Sequence, residues 1–202
     1  MTLLPEYKEP LLDVDYLRAH CTKIHFFGLG FVQMKMDDDT RYHFYHPFWS
    51  KSLWGIKAVA ENPHDHRYHF TSHVLRGTLR THVWKIVPNV IPDSREGALP
   101  AVLRYDSCTP GVAAPDEKRY VMALKVSTFD VSAGSSYYLD ENTYHQVEVC
   151  GDEPCVTHLV RGPKVKPFAS ILALPGKEDQ CPFSCNQEEY ELWDVVDACC
   201  AL

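Results

Sequence analysis

No stretch of the 202-residue chain approaches the roughly 20 consecutive apolar residues that span a bilayer. The opening Met1-Thr-Leu-Leu-Pro-Glu-Tyr-Lys8 has neither the basic segment nor the apolar run of a secretory leader. These two absences predict a cytoplasmic protein with no membrane partner. Positive charge is also short: 20 Lys and Arg face 27 Asp and Glu, a formal charge of -7. A chain that acidic lacks the overall field that follows phosphate backbones, so a nucleic-acid partner is not expected. No internal repeat or low-complexity segment occurs. Eight cysteines are present without an export signal or regular spacing, which predicts reduced thiols. Cys150 and Cys155, Cys181 and Cys185, and Cys199-Cys200 do not have the paired Cys-x-x-Cys spacing of common zinc modules. Gly28-Leu-Gly30 lacks the third glycine and the following helix of a phosphate cradle, and reads as a kink in a strand. Asp37-Asp-Asp39 has no further carboxylates at calcium-loop spacing and reads as a solvated turn.

What is present is a chain of globular composition, 45% hydrophobic and 23% charged, large enough for one sizeable core. Asp13 to Cys21 reads as a short helix, with Asp13 as N-cap and Val14, Leu17 and Cys21 on one face. From Lys23 to about Val160 the pattern changes to short β-branched and aromatic runs cut by turn clusters. Runs fall at Ile24 to Met36, Tyr42 to Tyr45, Leu53 to Ala60, Arg119 to Phe129, Ser135 to Leu139, Gln146 to Val149 and Val156 to Val160. Strands without intervening helices indicate an antiparallel sandwich or barrel. Pro88 to Pro115 reads as an excursion from it, with a central strand at Ala101 to Tyr105. A final helix, Gln187 to Cys199, is capped by Ser184 or Asn186 and packs on the sheet through Leu192, Trp193, Val196 and Cys199 or Cys200. The expected division is a helical segment 1–22, a β-barrel 23–172 and a C-terminal helix 173–202.

Eleven histidines are the informative excess. His64 and His66 stand two apart, which on a strand points both imidazoles to one side, and imidazole suits Zn, Cu, Fe or Ni. His69 and His73 have the opposite parity and face away from that side. The segment also matches a longer pattern: His64-x-His66, three residues, Phe70, six residues, Gly77. Further on stands Gly134-Ser-Ser-Tyr-Tyr-Leu-Asp140-Glu-Asn142-Thr-Tyr-His145-Gln-Val-Glu-Val149.

Together these two segments resemble the paired motifs of the cupin superfamily. Phe70 stands where the first motif has Glu, and Asp140, Asn142 and Val149 replace Pro, Gly and Asn of the second. The resemblance implies an all-β, double-stranded β-barrel of jelly-roll type with short helices at its ends. It also implies a divalent transition metal on His64, His66 and His145. Without the Glu the three ligands are neutral, so the metal keeps its full positive charge and about three open positions.

Within the superfamily the chain is similar to the thiol dioxygenase branch, typified by cysteine dioxygenase, over residues 40 to 165. The similarity lies in His64-Asp-His66, Leu75-Arg-Gly-Thr-Leu-Arg-Thr81, Tyr144-His-Gln-Val-Glu148 and Glu153-Pro-Cys-Val-Thr-His-Leu159. It implies a three-histidine Fe(II) centre, with Arg41 placed for the substrate's carboxylate. The chain departs from that branch in having no cysteine beside Phe70 for a cross-link and Val160 where a tyrosine follows the late His-Leu pair. The function expected is a non-haem iron dioxygenase acting on a small, anionic molecule. The alternatives are metal-assisted isomerisation or hydrolysis with Zn, Mn or Ni, and a non-catalytic cupin that binds a small ligand. Tyr68, Tyr144 and His158 are the candidate catalytic side chains. Arg41, Phe70 and Ser72 are the candidate substrate contacts, with Arg76 as a further cation and the aromatic stretch Tyr42 to Trp49 as packing. A homodimer is the oligomeric state considered.

Overall fold

The computed structural model describes residues 12–27, 31–46, 62–87, 98–107, 111–173 and 189–201. The expected strand Leu53 to Ala60 and the caps Ser184 and Asn186 lie outside them. Helix α1 spans Val14–His20, and its cap is the expected one, with Asp13 accepting the Tyr16 amide at 3.0 Å. The strands are β1 Lys23–Phe27, β2 Phe31–Lys35, β3 Thr40–Tyr45, β4 Phe70–Arg76, β5 Thr78–Val87 and β6 Ala98–Asp106. They continue as β7 Arg119–Ser132, β8 Ser136–Leu139, β9 Tyr144–Val149, β10 Cys155–Arg161 and β11 Ala169–Ala173, and helix α2 follows at Glu189–Cys200.

A six-stranded sheet runs β1-β2-β3-β10-β4-β8 and a five-stranded sheet runs β11-β6-β7-β5-β9, with every pairing antiparallel. His64 adds a one-residue bridge to His145 in β9 and to Ile171 in β11. In chain order the barrel strands are β3, the His64 bridge, β4, β5, β7, β8, β9 and β10. The first, eighth, third and sixth of these lie side by side in one sheet, and the second, seventh, fourth and fifth in the other, which is the jelly-roll order. Strand β6 is an insertion between β5 and β7 that joins the second sheet rather than leaving it. Gly28-Leu-Gly30, read as a kink, lies outside the described residues; the flanking β1 and β2 pair antiparallel with Phe27 opposite Phe31.

Strand parity decides which side chains meet. On β3, Tyr42 and Phe44 turn outward and join Leu17, Val32, Met34 and Val156 beneath α2, which contributes Leu192, Val195, Val196 and Cys199. Arg41, His43 and Tyr45 therefore take the inward face. Between the sheets, Val74, Leu79, Val131 and Cys155 form one cluster, and Phe70, Leu139 and Leu159 another beside it. A third, on the far side of the second sheet, holds Trp84, Ala101, Leu103, Ala123 and Leu172.

The glycine of the first motif turns β4 into β5. Gly77 has φ 72°, and a Cβ there would stand 2.5 Å from the Pro154 carbonyl oxygen. Both features exclude a side chain. Gly77→Ala is expected to destabilise the fold by about 2 kcal/mol or more, read as a drop in thermal midpoint of roughly 4–8 °C for a chain of this size. An unchanged midpoint would contradict the close packing of this turn. The five cysteines among the described residues, Cys21, Cys150, Cys155, Cys199 and Cys200, are free thiols, as the sequence suggests. No helix among the described residues is long and apolar enough to cross a membrane.

Candidate metal centre

His64 and His66 come from the short segment before β4, and His145 from the start of β9. The segment is seated by backbone bonds, His64 N–H to the His145 carbonyl at 2.9 Å and His145 N–H to the His64 carbonyl at 2.8 Å. Residues paired this way share a face, and His66, two residues on, reaches the same side. The three rings stand 4.8–5.0 Å apart centroid to centroid, and one ligand atom from each lies within 4.8 Å of the others. Among the described residues this is the sole cluster of metal-ligating side chains of its kind.

Four observations bear on whether these residues suit a metal. Nε2 of His66 and Nε2 of His145 approach to 2.8 Å, close to the spacing of about 3 Å expected for two adjacent nitrogens each about 2.1 Å from one ion. His64 turns Nδ1 to the Asn62 carbonyl at 3.0 Å, so the tautomer that donates this bond carries its lone pair on Nε2. Burial, together with the neighbouring His64 charge, holds His66 and His145 well below the ordinary imidazole range. Both are therefore neutral at physiological pH, the form that ligates. His145 Nδ1 is buried without a hydrogen-bond partner, so nothing but the Nε2 contact explains why an imidazole is enclosed there. The donor set fits a divalent transition metal.

Phe70 closes one side of the cluster. It is 1% exposed, its ring meets His66 edge-on at 4.9 Å, and it lies 5.7 Å from His145. An apolar ring thus stands beside the imidazoles, where the sequence pattern placed it. Ser72 shares the inward face of β4 with Phe70 and Val74 and is 2% exposed. The Tyr68 ring lies 5.5 Å from that of His66, tilted to it, and its hydroxyl accepts the Arg41 Nη1 hydrogen at 2.6 Å. The guanidiniums of Arg41 and Arg161 lie 5.6 and 4.9 Å from its ring centroid. Arg41 therefore reaches the histidines through Tyr68.

Two expected catalytic side chains are not brought to the centre. Tyr144 neighbours His145 on β9 and so faces the other way, packing with Trp84, Leu103 and Leu172 and bonding Ser170. His158 lies on the outer face of β10, its ring 4.8 Å from Tyr42 and 6.1 Å from His73. Burial lowers its pKa to about 4. Its neighbour Leu159 faces inward against Phe70. Arg76 turns to α2, donating to the Cys199 carbonyl at 2.7 Å. Asp37 accepts the Asp39 and Thr40 amides at 2.7 Å, the solvated turn expected.

Sequence reasoning missed His43. It follows Arg41 by two on the inward face of β3, and it acts on the titration of both His66 and His145. Gln33 Nε2 lies 2.9 Å from His43 Nε2, and since the amide nitrogen only donates, His43 keeps its proton on Nδ1. Burial, with Arg41 beside it, depresses His43 to about 3, so it too is neutral. The signal was available: His43 stands two residues after Arg41 and within Tyr42 to Tyr45, a run already read as a strand.

No family model matches the sequence, and no curated protein matches it. Solved structures similar to the chain include the Drosophila melanogaster CENP-C cupin domain, 8% identical over 66% of this chain and 70% of that one, with a TM-score of 0.33. A Bacillus subtilis oxalate decarboxylase variant is 16% identical over 71% of this chain and 28% of its own, with a TM-score of 0.36. Hydroquinone 1,2-dioxygenase from Sphingomonas sp. TTNP3, bound to 4-hydroxybenzoate, is 12% identical over 63% of each chain, with a TM-score of 0.32. The strand order, rather than these superpositions, carries the fold assignment: an all-β jelly roll with two short helices among the described residues.

Proposed function

We propose that the chain is a metal-dependent enzyme of the three-histidine, non-haem iron oxygenase type, acting on a small anionic molecule. The observation that carries this is the convergence of three imidazoles beside a phenylalanine rather than a carboxylate. His64, His66 and His145 would hold the ion. Bound Fe(II) would supply adjacent open positions at which substrate and dioxygen meet within one coordination sphere.

The remaining steps belong to the chain's own residues. Phe70 excludes water from one side of the centre and gives that side no negative charge. An anionic substrate is then favoured twice, by the uncompensated ion and by Arg41. The Arg41–Tyr68 bond fixes the phenol's direction: Tyr68 accepts from the guanidinium, so its own hydroxyl hydrogen is free to orient toward a group beside His66. His43, locked by Gln33 as an Nδ1–H tautomer, offers a neutral donor on the same strand face. Ser72 lines the apolar floor next to Phe70.

The test is metal analysis followed by oxygen uptake. The chain, stripped and reloaded anaerobically with Fe(II), is expected to bind about one ion and to consume oxygen with some members of a panel of small thiols and carboxylates. Ion binding with turnover that is indifferent to oxygen would favour isomerisation or hydrolysis with Zn, Mn or Ni. Ligand binding without turnover would favour a non-catalytic role, and absence of ion binding would overturn the proposal.

A further inference from the structure

We infer that Asp65 is a positioning residue for the metal centre, an inference that rests on the reading above that the three histidines hold a divalent ion. Its carboxylate clasps the segment carrying two of the ligands into the seam between β9 and β11.

The segment needs such a clasp because it is not part of a regular strand. Its order comes from a ladder only a few bonds long: His64 and His145 exchange amide bonds on one side, while Asp65 N–H to the Ser170 carbonyl at 2.9 Å and Leu172 N–H to the Pro63 carbonyl at 2.8 Å hold the other. A ladder this short has little cooperative support, and the chain leaves it at once toward the irregular turn before β4. Side-chain bonds must supply the rest.

Asp65 supplies them from the side opposite the ligands. It is 3% exposed, Oδ1 accepts the Ser170 amide at 2.6 Å, and Oδ2 accepts the Lys166 ammonium at 2.6 Å. Both partners belong to β11 or to its approach, so the carboxylate ties the ligand segment to the strand that flanks it. Lys166 is also held, its amide and that of Val165 donating to the Arg67 carbonyl at 3.4 and 2.8 Å. Residues on both sides of His66 are thereby tied to one short stretch, 165–170. These four bonds fix the segment's sideways position and its rotation about its own axis. Rotation decides whether His64 and His66 converge with His145 or splay from it. A buried charge paired and hydrogen-bonded in this way is a costly arrangement for stability alone, where apolar residues of similar size would serve as well. Its return here is the geometry of the ligands.

The test compares Asp65→Asn with the unaltered chain by titration with Co(II), amide hydrogen exchange and thermal unfolding. The amide keeps the shape and can still accept from Ser170, but loses the charged bond to Lys166. Co(II) affinity is expected to fall 10- to 100-fold, with altered visible bands, as for other groups that orient metal ligands. Exchange is expected to quicken at His64, Asp65, Ser170 and Leu172 and not across the sheets. A lower thermal midpoint with unchanged Co(II) affinity and spectrum would overturn the inference, since the pair would then serve the fold alone. If Asp65→Asn does not fold, Lys166→Met is read by the same measurements. Failure of the unaltered chain to bind Co(II) would overturn the metal reading instead. The clasp would then stand or fall on exchange: local quickening in the variant sustains it, and amides in the unaltered chain that exchange as fast as exposed turns refute it.

Discussion

Replacing His145 by alanine is expected to lower divalent-metal affinity at least about 100-fold while leaving the jelly roll folded. The site has three neutral donors, so removal of one leaves two imidazoles with no charged ligand to compensate. His145 is also the donor that joins the two sequence motifs, since it alone comes from β9 and places its Nε2 2.8 Å from that of His66. The cost to the fold is small for a reason visible in the structure. His145 is 4% exposed and its Nδ1 is buried without a partner, so truncation removes an unsatisfied polar atom along with its packing. The His64–His145 bridge is made by backbone atoms and survives the change. Affinity measured by competition with a chromophoric chelator, with circular dichroism as the check on folding, decides the matter. Metal content equal to that of the unaltered chain would show that the ion binds elsewhere.

The parts of the centre that were legible in the sequence are those set by local spacing. His64 and His66 stand on one side because they are two apart in extended chain, and the tight turn at Gly77 is written in its glycine. What could not be read is what depends on long-range pairing. Tyr144 and His158 are polar residues beside motif positions, yet each neighbours an inward residue and is therefore turned outward. Choosing between the two parities requires knowing which face of β9 and β10 is covered, and both faces are covered in places: the helices pack on one sheet, and Trp84, Ala101, Leu103, Ala123 and Leu172 cluster on the far side of the other. β11 was invisible for a related reason. Ala169–Ala173, Ala-Ser-Ile-Leu-Ala, is buried at every position, so it shows no alternation of apolar and exposed polar residues. Its pairing with the His64 segment is equally non-local, which is why Asp65 offered no sequence signal. Only its bonds to Lys166 and Ser170 reveal a role.

Phe70→Glu should invert the electrostatic character of the centre. The phenyl ring is buried at 1% exposure, 4.9 Å from His66 and 5.7 Å from His145, so a carboxyl group built there lies among the imidazoles. Without metal, the substitution exchanges packed aromatic surface for an acid in an apolar setting. The acid's pKa is driven upward, and the apo form is expected to lose about 3–5 kcal/mol of stability, the range for large-to-small or polar changes in a core. With metal, the same group deprotonates and becomes a fourth ligand that carries charge. The ion is then expected to bind at least about 10-fold more tightly and to restore most of the lost stability, because ligand binding to the folded state adds to its free energy. The gain in affinity comes with a loss of access: the new carboxylate takes a coordination position and cancels part of the positive charge. Azide titrated onto the Co(II)-loaded variant should bind at least about 10-fold more weakly than to the unaltered protein, and oxygen uptake should fall with it. The two opposed changes, tighter metal and weaker anion, distinguish this outcome from simple damage to the fold, which would weaken both. If neither affinity moves, the ion does not sit beside Phe70, and the three-histidine centre proposed here is refuted.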